Sequence, residues 1–324
     1  MPKDYEIRQP REAERAELFK VFYACFPAAV SIFEMGERGG RPINDYFYGY
    51  EPRVMIMDGR IIANVSLCRY QIYLGGKVVP IGGIGSVVTL PEYQRKGYAK
   101  ILLEERLRNM QEERIDISLL LTDLPWAYQS LGWKVVPQGY QVLDLTDQTN
   151  YKVDPDISVI EDLDTVRSIM ELYNESAPSI NGAIKRIPAY WEDYYFTGPT
   201  GFKGSGDRFL FYKKSSELLG YARLHDEETQ MLLGEIVAKD WNPDILEKIL
   251  RSTIRTIHDQ GYRKLVLGLQ ENHPLRKVIS NMGLKPVVEI PEGIRELEMI
   301  NVLAKLPEQA RYLKRLHWCY FDKF

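Results

Sequence analysis

The segment Tyr128-Gln129-Ser130-Leu131-Gly132-Trp133 returns 151 residues later as Ile279-Ser280-Asn281-Met282-Gly283-Leu284. Each is a short helix-like run closed by a glycine, and what precedes each follows one order. In the first half, Arg11 to Cys25 has apolar residues at helical spacing. Arg53 to Met57 and Arg60 to Tyr70 meet at Asp58-Gly59, and Tyr70 to Leu74 and Lys77 to Gly82 meet at Gly75-Gly76, two hairpin patterns. An apolar strand, Gly82 to Leu90, leads to an amphipathic helix, Tyr98 to Glu113, then to a buried strand, Asp116 to Thr122, and after the glycine-closed helix to a last strand, Lys134 to Leu145. In the second half Arg208 to Tyr212 and Leu218 to Leu224 read as a hairpin, Gln230 to Ala238 as a central strand, Pro243 to Gln260 as a helix and Lys264 to Leu269 as a buried strand. Such a recurrence predicts a duplication. Polar residues, Asp and Pro near Gln148 to Pro155 mark the boundary, giving units at 1–150 and 151–305 and an aromatic tail at 306–324.

The 324 residues, 45% hydrophobic and 11% aromatic, suit two globular units with real cores. A net charge of -3 gives no global basic field, so nucleic acid is not expected as a partner. The charged N-terminus lacks a signal-peptide core, and the longest apolar stretch, Val78 to Leu90, is too short and glycine-rich to span a bilayer as a helix. The expectation is a cytoplasmic protein without a membrane partner. Cys25, Cys68 and Cys319, like His225, His258, His273 and His317, are scattered without metal-ligand spacing, so no metal is expected.

The chemistry concentrates at Gln94-Arg95-Lys96-Gly97-Tyr98-Ala99, between the apolar strand and the amphipathic helix. The first N–H groups of a helix lack intrahelical partners and lie at its positive end, where an anion can accept from them. Gly97 permits a close approach to the backbone, and Arg95 and Lys96 add positive charge, so the segment reads as a diphosphate cradle. The matching place in the second half, Lys239-Asp240-Trp241-Asn242-Pro243-Asp244, has two acids and no glycine. One cofactor site per chain follows.

A Gln/Arg-x-x-Gly-x-Gly/Ala segment after a strand resembles the acyl-CoA-binding motif of the GNAT superfamily of N-acetyltransferases. Two such units, with the Arg-x-Pro-x-x-Trp stretch Arg186-Ile187-Pro188-Ala189-Tyr190-Trp191, resemble the enhanced-intracellular-survival-type acetyltransferases, here without the C-terminal sterol-carrier-like domain usual among them. The resemblance implies an α/β (α+β) fold of two tandem GNAT-like domains, each a mixed, mostly antiparallel twisted sheet flanked by helices. It implies acetyl-CoA as co-substrate, held by Gln94, Arg95, Lys96, Gly97, Tyr98 and Ala99 at the diphosphate and by the backbone of Val87 and Val88 at the pantetheine. It casts Tyr128 as proton donor to the departing thiolate, and it places the chain's terminal carboxylate, here that of Phe324, at the active site. Glu34, Glu37 and Asp45 fall where the superfamily builds its acceptor pocket. The implied activity is transfer of an acetyl group to a primary amine, on a small molecule or a lysine, by direct attack in a ternary complex. An acyl-CoA sensor without turnover and an aminoacyl-tRNA-dependent transferase are the alternatives. The chain is also compatible with a homo-oligomer.

Overall fold

The computed structural model describes residues 4–26, 50–136, 140–148, 150–159, 163–188, 191, 208–227, 229–270, 272–289 and 297–303. Strands of the first half are β1 (Glu6–Arg8), β2 (Tyr50–Met57), β3 (Arg60–Leu74), β4 (Lys77–Thr89), β5 (Ile117–Thr122), β6 (Lys134–Val135) and β7 (Tyr140–Asp144). Those of the second are β8 (Ile157–Ser158), β9 (Arg208–Lys214), β10 (Glu217–Glu227), β11 (Gln230–Ala238), β12 (Lys264–Leu267), β13 (Val287–Glu289) and β14 (Leu297–Val302). The helices are α1 (Arg15–Cys25), α2 (Tyr98–Glu112), α3 (Trp126–Gln129), α4 (Leu163–Ser176), α5 (Pro243–Asp259) and α6 (Leu275–Asn281).

Two seven-stranded mixed sheets result, in the orders β1-β2-β3-β4-β5-β14-β6 and β13-β7-β12-β11-β10-β9-β8. Within each the neighbours are antiparallel except for one parallel pair, β4 with β5 and β11 with β12. A parallel pair needs a crossover, and the amphipathic helices α2 and α5 provide it. Gly82, in the middle of β4, lets α2 come close: a Cβ there would stand 2.4 Å from the Met110 sulfur. Arg106 ties α2 to β2 through the Glu51 carboxylate at 2.8 Å and the Glu51 carbonyl at 2.7 Å.

The expected single strand from Lys134 to Leu145 is instead two pieces in different sheets. β6 borders the first sheet, while β7 crosses to the second and pairs with β12 and β13. In return β14, the last strand of the second half, pairs with β5 along its whole length, from Leu297 opposite Thr122 to Val302 opposite Ile117. Each sheet offers the same open ladder beside its parallel pair, so a strand from either copy satisfies it. The halves are further stitched where 182–185 runs along β3: Tyr73 N–H donates to the Ala183 carbonyl at 3.0 Å and Lys185 N–H to the Gln71 carbonyl at 2.8 Å.

The first sheet has two apolar faces. Phe19 and Phe22 of α1 pack on Tyr70, Ile81, Val88, Ile117 and Leu119, and Leu102 of α2 packs on Met55, Leu67, Ile84, Leu120 and Met299. In the second half the Arg-x-Pro-x-x-Trp stretch is structural: Arg186 stacks 3.7 Å over the Tyr173 ring and 4.9 Å from Trp191, and bonds the buried Glu235 carboxylate.

Candidate active site

β4 and β5 pair at Ile81–Ile117 through Ile84–Leu120 and no further. Ser86 then takes a left-handed φ of 45°, and the register with β3 slips by one residue, so that Ser66 faces Gly85 but Asn64 faces Val88. This bulge bends β4 away from β5 and leaves the edge of Gly85 to Thr89 that faces β5 without a strand partner among the described residues. The Thr89 hydroxyl oxygen is buried there without a hydrogen-bond partner. An extended amide chain in the opening would find backbone groups and this orphaned hydroxyl to bond.

The opening continues into a cleft of about 690 Å³ lined by Val87, Val88, Thr89, Gln94, Arg95, Gly97, Tyr98, Ala99 and Lys100 on one side and by Leu124, Trp126 and Tyr128 on the other. Gly97 is the N-cap of α2 with φ 85°, and neither a side-chain cap nor an acid occupies the first turn. The first helical bond is Ile101 N–H to the Gly97 carbonyl at 3.1 Å, so the N–H groups of Tyr98, Ala99 and Lys100 have no intrahelical acceptor. A Cβ on Gly97 would meet nothing within 4 Å, so glycine is needed for the backbone angle rather than for space. Arg95 also has a positive φ, 60°.

Not every expected residue converges. The Lys96 ammonium turns back to the Glu92 carbonyl at 2.5 Å and lies 5.2 Å from the Tyr93 ring centre, outside the cleft lining. Gln94 lines the cleft and also closes the turn, its amide donating to the Thr89 carbonyl at 3.0 Å. Glu34, Glu37, Asp45 and Phe324 lie outside the described residues.

Tyr128 sits on α3 across the cleft, its ring edge-on to Trp133 at 6.2 Å. Burial pushes its hydroxyl pKa up, against a lowering contact with Thr122, and the nearby Asp123 adds to the rise. The phenol therefore stays protonated at neutral pH, as a proton donor must. Sequence reasoning missed Thr89, Lys100, Leu124 and Trp126. The signal for Trp126 was available: a tryptophan two residues before Tyr128 on a four-residue helix, 70% exposed in the structure.

The second half builds the same opening and fills it. β11 and β12 last pair at Leu233–Leu267, and into the gap beyond goes His273, 5% exposed, its Nε2 on the Ile236 carbonyl and its Nδ1 accepting from Leu275 N–H at 3.1 Å. The Trp241 ring packs edge-on against it at 5.0 Å. At the start of α5 the Asn242 side chain accepts from the N–H groups of Asp244 and Ile245 at 2.9 and 3.2 Å, and Pro243 has no N–H to give. Leu124 and His273 each precede the proline that caps the next helix, so the residue that lines one cleft plugs the other.

Residues 6–136 match a family model described as an acetyltransferase (GNAT) domain. No curated protein matches the sequence. Among solved structures, the chain is similar to a GCN5-related N-acetyltransferase from Anabaena variabilis, with 17% identity and a TM-score of 0.69 over 93% of this chain and 73% of that one. A conserved protein from Enterococcus faecalis described as a probable N-acyltransferase gives 17% and 0.67, with the same two coverages. Eis1 from Mycobacterium abscessus gives 15% and 0.60, over 93% of this chain and 74% of its own. At such identities the likeness is one of fold, two sheet-and-helix units in tandem. Among the described residues no helix is long and apolar enough to cross a membrane, and no group of His, Cys, Asp and Glu is arranged to hold a metal.

Proposed function

We propose that the chain is an acetyl-CoA-dependent N-acetyltransferase acting on a primary amine, with its one cofactor site in the first half. The observation that carries this reading is the cleft itself. It joins an uncapped helix start at Gly97, an unpaired strand edge at Gly85 to Thr89 with an orphaned hydroxyl, and the buried phenol of Tyr128. These three features suit a diphosphate, an extended amide chain and a departing thiolate, in the order acetyl-CoA carries them. When bound, acetyl-CoA supplies an activated acetyl thioester.

The chain's own contributions follow. The N–H groups of Tyr98, Ala99 and Lys100, with Arg95 beside them, hold the diphosphate. The β4 edge and the Thr89 hydroxyl orient the pantetheine. The Tyr128 hydroxyl delivers its proton to the departing sulfur. Transfer from a phenol near pKa 10 to a thiolate near 8.5 is uphill by about 2 kcal/mol, somewhat more with the phenol raised by burial. Both the sensor alternative and the tRNA-dependent alternative retain the fold, but neither needs a buried proton donor beside the opening.

Isothermal titration with CoA, followed by thiol release from acetyl-CoA with a panel of primary amines, tests the reading. Micromolar binding at one site per chain with amine-stimulated thiol release is the expected result. Binding without thiol release would favour a sensor, and no binding would sink the proposal.

A further inference from the structure

Direct attack by an amine requires a group to take its proton, and β4 carries no carboxylate. The row of the sheet just past the last β4–β5 pair runs Ser66, Gly85, then across the opening Leu121 and Glu298. Residues paired on neighbouring strands share a face. Leu119 and its partner Ile300 pack under α1, whereas Leu120 and its partner Met299 pack under α2, so alternation puts Leu121 and Glu298 on the α1 face. Tyr128 and Leu103 of the cofactor cleft belong to the opposite, α2 face. Glu298 is only 5% exposed, an acid set in the apolar run Leu297-Glu298-Met299-Ile300. One strand spacing, about 5 Å, separates its backbone from β5 at the border of the opening.

A second buried acceptor flanks the opening from the other side. Asn64 is fully buried, and its neighbour across β4, Val88, packs under α1, so Asn64 shares the face of Glu298. Its Nδ2 donates to the Ser66 hydroxyl and the Ser86 carbonyl, each at 2.9 Å, and its Oδ1 has no hydrogen-bond partner. The Glu298 carboxylate, the Ser66 hydroxyl and Asn64 Oδ1 thus share one face of the sheet, with Glu298 on one side of the opening and Asn64 on the other, and an amine entering there would meet polar groups able to accept from it.

We propose that Glu298, carried in by the exchanged strand β14, is the general base for the acceptor amine, and that Asn64 Oδ1 orients that amine by accepting from one of its N–H groups. The inference rests on the acetyl-transfer reading and adds the residue and the route of the proton. As the C–N bond forms and the C–S bond breaks, the amine proton passes to the Glu298 carboxylate on one face. On the other face the Tyr128 hydroxyl proton passes to the sulfur. Exchange with water then returns a proton to Tyr128 and removes one from Glu298. The second half of the chain thereby contributes to the chemistry of the first.

The test compares wild type with Glu298→Gln and Glu298→Asp in the full chain. CoA affinity is read by calorimetry, and thiol release from acetyl-CoA is read with cadaverine, with a lysine tripeptide and with water alone. Expected for Glu298→Gln are a hundredfold or greater loss of amine-dependent kcat and a CoA Kd within twofold of wild type, with part of the rate regained in Glu298→Asp. Undiminished kcat in Glu298→Gln overturns the base assignment and leaves the acetyl-transfer reading intact. Should Glu298→Gln not fold, Glu298→Asp decides alone: kcat equal to wild type overturns the assignment, and a tenfold or greater fall with normal CoA binding supports it. A wild type that fails to bind CoA, or binds it without releasing thiol to amines or water, overturns both.

Discussion

His273 Nε2 lies 3.0 Å from the Ile236 carbonyl oxygen, on the stretch of β11 that has left β12. This contact fills the second copy of an opening that has no strand partner in the first among the described residues. Burial drives the His273 pKa down to about 4. In the unfolded chain the same group titrates near 6.5. Between those values the unfolded state binds more protons, so stability falls as pH drops from about 6.5 to about 4, by roughly 3 kcal/mol in all. Melting curves across pH 4 to 7 should show this slope, and His273→Gln should flatten it. An unchanged slope would refute the assignment.

Tyr128→Phe should lower kcat by about 10²-fold, within the range for losing a general acid, while CoA affinity stays within twofold. Steady-state thiol release together with calorimetry separates the two. A variant as active as wild type would remove Tyr128 from the proton path.

Gly97→Ala tests the backbone rather than the space. The added methyl meets no atom within 4 Å, but φ of 85° costs a residue with a Cβ about 1–2 kcal/mol. The helix start should shift, and CoA affinity should fall about tenfold or more with a modest loss of melting temperature. Retained affinity would show that the cradle does not depend on this angle.

Trp126 is 70% exposed and lines the cleft opposite Lys100, so Trp126→Ala should cost little stability yet weaken CoA binding several-fold. Equal Kd values by calorimetry would place the tryptophan outside the bound ligand's reach.

Much of this was legible from residue types and spacing. The hairpins at Asp58-Gly59 and Gly75-Gly76, the strand into the Gln94 to Ala99 turn and the helix after it all stand within a few residues of their expected bounds. Local turn chemistry and period carry those signals. The destination of Lys134 to Leu145 was not legible, because the apolar pattern of a strand says that it pairs and not with whom. Nothing marked β14 as a neighbour of β5, so Glu298 stayed outside every list of acids near the first site. The bulge at Ser86, which opens the cleft, is a non-glycine residue at positive φ, and its type gave no hint of that. The direction of the Lys96 side chain was not legible either: its ammonium bonds the carbonyl of Glu92.

A chain cut after residue 289 keeps every strand of the first half but leaves β5 without β14. The apolar edge of Leu119, Leu120 and Leu121 would then be bare, and the first half should lose cooperative unfolding and aggregate. Circular dichroism and thermal melts of residues 1–289 check this, and a sharp transition with normal CoA binding would contradict it.

The trade of β7 for β14 also bears on how such a chain can change over time. A duplicated gene ordinarily leaves its spare copy free to be discarded, but here each copy completes the other's architecture. Deleting either half of the chain would strip a strand from the sheet of the other. The half whose opening His273 has filled still works as a tenon in the other half's mortise, because β14 completes the first sheet.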